Sequence, residues 1–301
     1  LVVASFMDPH DICFWTPTLD NGRLFKEDFF ALGEQLPPLP PNHDYDFPEL
    51  FPGSRVAPAA MGEMQWRGYL HDYCRMVERL DAKVGRLLRA VEDRGDNTVV
   101  IFTSDHGDGL GRHRRVQKWD GFLSDTRVPL VLHGPKAGIR RGVVDERSVA
   151  NGLDIMATIC HLAGAPPPPH SRGQSLLPVA RGEAPQSREF TYVEFRIIGR
   201  MIIDERFKYS TAYELSPEGE RPSPEAVFLT ADGTPTEFLP GDSARLRRRP
   251  QRMLFDIKAD PWETANLAAD PRHAGMIALM EERLAAVEAS ILPGHSHTIP
   301  A

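Results

Sequence analysis

Two runs of β-forming residues, Thr98 to Thr103 and Val128 to Leu132, bracket a glycine-rich loop, and this unit constrains the fold more than any other stretch. The first run, T-V-V-I-F-T, follows the turn pair Asp96-Asn97 and reads as a short buried strand. Ahead of it, Met61 to Arg94 repeats apolar residues at intervals of three and four: Tyr69, Tyr73, Met76, Val77, Leu80, Val84, Leu87, Leu88 and Val91. Arg75, Glu78, Arg79, Lys83, Arg86 and Arg89 fill the other face, so this segment is a long amphipathic helix. It reads as scaffold, with His71 and Cys74 as packing or surface residues. Helix, short turn and strand together make an α/β unit feeding a sheet.

Chemistry-bearing residues follow the first strand directly. Asp105 and His106 stand where it ends, and in open α/β sheets ligands collect outside the carboxyl ends of strands. Gly107, Gly109 and Gly111 let the backbone turn sharply and approach a ligand closely. A carboxylate beside a neutral imidazole suits a divalent cation, and the ammonium of Lys118 suits a tetrahedral oxyanion bound to that cation. That combination points to metal-assisted ester hydrolysis. The same Asp-His pair also caps helices and holds turns, and spacing alone leaves both readings open.

With 301 residues the chain can bury roughly three quarters of its unfolded surface, enough for one large or two modest domains. Its net charge of −7 gives no reason to expect nucleic acid as a partner, and no apolar run approaches the ~20 residues of a membrane span. Cys13, Cys74 and Cys160 are too few and too scattered for a disulfide framework or a zinc site. Leu1 to Phe6 reads as a core strand, ended by Asp8-Pro9-His10, with His10 in the loop beyond it. A chain that opens inside a strand is expected to be preceded by further sequence, which leaves the compartment open.

Elsewhere the chain divides in two. Thr16 to Pro58 is proline-rich and irregular, a stiff loop bordering a substrate cleft or a ligand for a partner domain. Val143 and Val144 begin a further strand, and Leu153 to Leu162 reads as a helix ended by Gly164 and four prolines. From Arg188 the pattern turns antiparallel: Phe190 to Phe195, Met201 to Ile203, Phe207 to Tyr213 and Met253 to Ile257. Glu214 to Pro250 reads as an inserted loop with a solvated basic tip, R-L-R-R-R-P. A last helix carries the stripe Met276, Met280, Leu284, Val287 and Ile291. The division expected is 1–186 as the rear part of an α/β domain and 187–301 as an antiparallel β-plus-helix subdomain.

The run S-D-H-G-D-G-L-G, followed by His113, Gln117-Lys118 and R-V-P-L, resembles the sulfatases, a family of the alkaline-phosphatase-like superfamily. S-F-x-x-P-H at Ser5 to His10 resembles the sulfatase segment whose histidine contacts the sulfate, and D-I-C-F-W after it looks like a bacterial carbohydrate-sulfatase branch. Asp256 with D-P-W-E-T-A-N-L-A resembles the closing sulfatase motif, and Asp154, Thr158 and G-Q-S-L at Gly173 to Leu176 resemble family positions with a structural job. The resemblance implies an α/β sheet flanked by helices with a small C-terminal sheet-and-helix subdomain. It also implies Asp105 and His106 as metal ligands, and His10 and Lys118 as catalytic and substrate-binding groups. His113, in the matched loop, is carried as a substrate contact. The cation implied is calcium first, with manganese or another metal suited by the His106 nitrogen.

One element of the pattern is missing. Sulfatases convert a cysteine or serine in C/S-x-P/A-x-R to formylglycine, and no cysteine or serine here has that context. Formylglycine is therefore expected only in a segment ahead of Leu1, and the chain alone is expected to be inactive. The reading is a sulfuric ester hydrolase fragment for a sulfated carbohydrate. Its rivals are a phosphodiesterase or phosphonate monoester hydrolase of the same superfamily, and a non-catalytic binding module.

Overall fold

The structure is a computed structural model that describes residues 1–15, 29–45, 61–95, 97–118, 121–169, 171–183, 188–195, 199–215 and 246–291. Most of the proline-rich stretch, and 216–245 of the expected inserted loop, lie outside the described residues. A short helix α1, Phe29–Leu32, precedes the long helix α2, Glu63–Arg94. Gln65 reaches back to the Gly62 amide at 2.7 Å to start α2, and Gly95, in the left-handed region at φ 59, stops it. Trp66, Tyr69 and Met76 bury the front of its apolar face against Ile12, Trp15 and Val116. Further along, Leu87 and Leu88 are exposed.

Strand β1, Val100–Thr103, pairs antiparallel with β2, Leu130–His133, in the register Ile101↔Leu132. Between them α3, Leu123–Thr126, makes a single turn. Phe102 and Val131, partners across the pair, both lie exposed. Helices α4, Leu153–Ala163, and α5, Leu177–Arg181, follow. The Asp154 carboxylate, fully buried, accepts the amides of Asn151 and Gln174 and a two-pronged grip from Arg188 at 2.6 Å. Thr158 accepts the Leu176 amide at 2.9 Å, so these residues tie α4 to the G-Q-S-L segment.

Two expected strands do not form. Leu1 to Phe6 is irregular, with Leu1, Val2 and Val3 exposed, and Val143-Val144 lies in an exposed irregular stretch. An apolar run makes a strand only where a neighbour supplies ladder partners, and among the described residues neither has one.

The C-terminal sheet is a four-stranded antiparallel meander, β3 Phe190–Phe195, β4 Gly199–Asp204, β5 Phe207–Leu215 and β6 Leu246–Asp256. β6 starts seven residues before the expected Met253, so Arg247, Arg248 and Arg249 sit in a strand and not in a loop tip. Side chains alternate across the sheet. One face, with Ile202, Tyr209 and Leu254, packs on Ile277, Met280 and Leu284 of helix α6, Ala274–Ile291. The other, with Met201, Met253 and Phe255, packs on Phe122 and Phe195. Because both faces are covered, Lys208 has no exposed surface although alternation along β5 suggests an outward position.

Candidate active site

The loop after β1 folds back as a tight hairpin. The Gly109 amide donates to Gln117 O at 2.6 Å and the Gly111 amide to Arg115 O at 2.9 Å. Gly107 hydrogen-bonds Asp125 O at 2.7 Å, and a Cβ there would fall 1.9 Å from Ser124 O. Glycine is thus required at Gly107 by close backbone approach, as at Gly109, whose Cβ would meet the Arg115 carbonyl at 2.8 Å. The hairpin brings Lys118 back beside Asp105 and His106.

At the strand end the Ser104 hydroxyl donates to His106 O at 2.9 Å and the His106 amide to Asp105 Oδ1 at 2.9 Å. Asp105 Oδ2 lies 3.5 Å from His106 Nε2. His106 Nδ1 lies 2.8 Å from Gly107 O, a carbonyl that can only accept. Nδ1 therefore carries the proton, and in the neutral ring Nε2 keeps its lone pair. Burial pushes the Asp105 carboxyl up, but the adjacent His106, nearby amides and the Ser104 hydroxyl outweigh it and hold it below the ordinary carboxylate value.

Lys118 Nζ hydrogen-bonds His106 Nε2 and lies 3.3 Å from His10 Nε2. The two imidazoles meet edge to face at 5.8 Å. Residues 108 and 12 positions away from Lys118 thus converge on one ammonium. His10 opens a 3₁₀ turn, His10–Phe14, linked to the hairpin through Gln117 Nε2 and Cys13 O at 3.4 Å. Two residues earlier, the buried Asp8 accepts Arg79 at 2.7 Å and pairs with Lys83. Burial raises the Asp8 carboxyl, but hydrogen bonds from Lys83 and Arg79 prevail and leave it below its usual value. Helix α2 therefore does more than support the sheet: its cationic face fixes the approach to His10.

Asp108 points inward under the loop, accepting Tyr69 Oη and the Leu110 amide, both at 2.9 Å. Burial keeps its carboxyl above the ordinary value despite those bonds. The structure brings Asp105, His106, His10 and Lys118 together and leaves His113 out. His113 is 1% exposed, with Nδ1 2.6 Å from Tyr45 O, Nε2 3.1 Å from Asn42 Nδ2 and its ring stacked on Phe122 at 4.1 Å. With both nitrogens held by protein groups, it supports the hairpin in place of the expected substrate contact. A concavity of about 570 Å³ lined by residues such as Arg140, Val144, Asp145 and Lys258 lies elsewhere and contains none of these groups.

The His106 nitrogen beside the Asp105 carboxylate suits a divalent cation in donor chemistry once Lys118 gives up its hydrogen bond to that lone pair. Calcium takes six to eight oxygens and magnesium six ligands, whereas no group of three or more His, Cys, Asp or Glu among the described residues can hold a metal. Asp105 and His106 accordingly fit as two members of a coordination shell, not as a whole one.

Fold and site together define an α/β chain with an aspartate–histidine pair and a converging lysine at a strand end. Residues 1–165 match the family model for sulfatase, and the chain belongs to the sulfatase family. It is 28% identical over 300 residues to the Delta 4,5-hexuronate-2-O-sulfatase of Bacteroides thetaiotaomicron, covering 92% of this chain and 54% of that protein. A solved 2-O GAG sulfatase superposes with a TM-score of 0.70 at 25% identity, over 95% of this chain and 58% of that one. The phosphonate monoester hydrolase of Agrobacterium radiobacter superposes with 0.60 at 25% identity, over 77% and 44%. The chain spans about half the length of the relatives it matches. The fold is that of the alkaline-phosphatase-like sulfatases, and among the described residues no helix is long and apolar enough to cross a membrane.

Proposed function

We propose that this chain supplies the cation- and sulfate-binding part of a sulfuric ester hydrolase acting on a sulfated carbohydrate. The observation that carries this reading is the convergence of His10, His106 and Lys118 from separate loops. Asp105 and His106 hold the divalent cation, calcium first and manganese as the alternative. When bound, that ion supplies Lewis acidity at the sulfate oxygens. Lys118 donates to a sulfate oxygen as a point charge with rotatable donors. His10 Nε2 accepts from Lys118 in this structure; when the ring carries a proton there, it would donate to a second oxygen or protonate the leaving oxygen. Gln117 and the Asp8 clamp keep the His10 turn in register with Lys118.

The chain has no C/S-x-P/A-x-R nucleophile context, so binding without turnover is expected. Titration calorimetry with sodium sulfate in the presence of calcium tests the reading. Losing one charge-assisted hydrogen bond costs about 1.5–3 kcal/mol, so Lys118→Met should weaken sulfate binding about 10- to 100-fold. Unchanged affinity would contradict it. Tighter binding of a phenyl phosphonate monoester than of 4-nitrophenyl sulfate would favour the phosphonate hydrolase instead.

A further inference from the structure

Lys208 of β5 is fully buried, and an ammonium out of water is costly unless paired and hydrogen-bonded. Its partners are specific. Nζ pairs with the Glu263 carboxylate, donates to Gly121 O at 2.8 Å and lies 5.1 Å from the rings of both Phe122 and Phe255. Glu263, itself 2% exposed, accepts the Leu123 amide at 2.8 Å through its other oxygen. It holds this place with φ at 56°, a conformation that non-glycine residues adopt only where the surroundings impose it.

The pair therefore grips a carbonyl and an amide of one backbone turn, three and five residues beyond Lys118. Hydrophobic residues of similar volume commonly stabilise a fold as well as a buried ion pair does, so packing alone does not require these charges. The pair adds direction. Phe122, held between the two gripped groups, carries the His113 ring at 4.1 Å and the Arg115 guanidinium at 5.6 Å. Both belong to the hairpin whose end presents Lys118.

We infer that Lys208 and Glu263 are positioning residues: the C-terminal sheet fixes the floor of the hairpin and so sets where the Lys118 ammonium stands relative to His10 and His106. The part of the inference that concerns sulfate rests on the function proposed above; the part that concerns Lys118 does not.

Glu263→Gln keeps an acceptor for the Leu123 amide while removing the charge, and Lys208→Met/Glu263→Gln guards against the single variant, with its unpaired Lys208 ammonium, failing to fold. In protein labelled with ¹⁵N-histidine, the nitrogen shifts of His10 and His106 report the Lys118 contacts directly. Both variants should move these shifts toward those of Lys118→Met, with cooperative unfolding retained. Sodium sulfate affinity should fall about 5- to 10-fold, with calcium affinity within about twofold of the parent. Added to Lys118→Met, the same changes should have no further effect on sulfate. Imidazole shifts that stay at parental values, or sulfate losses of equal size with and without Lys118, would overturn the inference. If the parent binds no sulfate, the functional reading fails while the imidazole shifts still decide the positioning role.

Discussion

Arg188→Met removes the guanidinium from a carboxylate with no exposed surface. In the parent, Asp154 receives two 2.6 Å bonds from Arg188 and the amides of Asn151 at 2.9 Å and Gln174 at 2.8 Å. The variant keeps the two amides but removes the guanidinium that grips the charge from both oxygens. Breaking a buried pair in this way costs about 3–5 kcal/mol, a large share of the roughly 5–15 kcal/mol available to a folded domain. The pH dependence has a definite sign. Burial alone would raise the Asp154 carboxyl, but the Arg188 bonds, the two amides and the Arg188 charge outweigh it and leave it below the ordinary value. A depressed carboxyl stabilises the fold fully above its unfolded pKa of about 3.9, and that contribution is lost as pH falls through the folded value. Urea unfolding followed by circular dichroism should therefore show the full deficit at about pH 7 and a shrinking one below about pH 4. A loss under about 1 kcal/mol at neutral pH, or a deficit that grows on acidification, would refute the reasoning.

Asp8→Asn should weaken sulfate binding about 3- to 10-fold by releasing the His10 turn from Arg79 and Lys83, with a modest drop in melting temperature; calorimetry beside a thermal melt checks both. Asp108→Asn should raise the urea midpoint at pH 7. A carboxyl held above its usual value costs the fold stability once pH passes the unfolded pKa, and the amide oxygen still accepts Tyr69 and Leu110; a lowered midpoint would contradict this.

The elements legible in the sequence were those with a single strong period. The three-and-four spacing from Tyr69 to Val91 gave α2, and the alternation in Phe190 to Phe195 gave β3 with its bounds as observed. Leu1 to Phe6 and Val143-Val144 misled because apolar composition says nothing about whether a ladder partner exists. The sequence places the start of β6 too late because Arg247 to Arg249 look like a solvated tip, although a strand pairs through its backbone whatever its side chains are. Asp105, His106, His10 and Lys118 could be picked out because their residue types suit the chemistry and their motifs resemble a family.

Their supports were hidden for another reason. Arg79 and Lys83 sit on the polar face of a helix, where charge normally means solvent, and only the fold brings Asp8 to them. Lys208 lies in a strand whose outward positions read as exposed, and its burial follows from a second layer, Phe122, about 86 residues earlier. Asp108 offered one local signal, an acidic residue between two glycines, but its Tyr69 partner is 39 positions away.

The claim that Asp105 and His106 bind a cation to which Lys118 draws an anion is tested most directly by electron paramagnetic resonance of Mn²⁺ added to the chain. The spectrum should show coupling to one imidazole nitrogen, absent in His106→Ala and retained in His133→Ala, and sulfate should perturb it in the parent but not in Lys118→Met. Bound manganese with no nitrogen coupling, or with the same coupling and affinity in His106→Ala, would contradict the account.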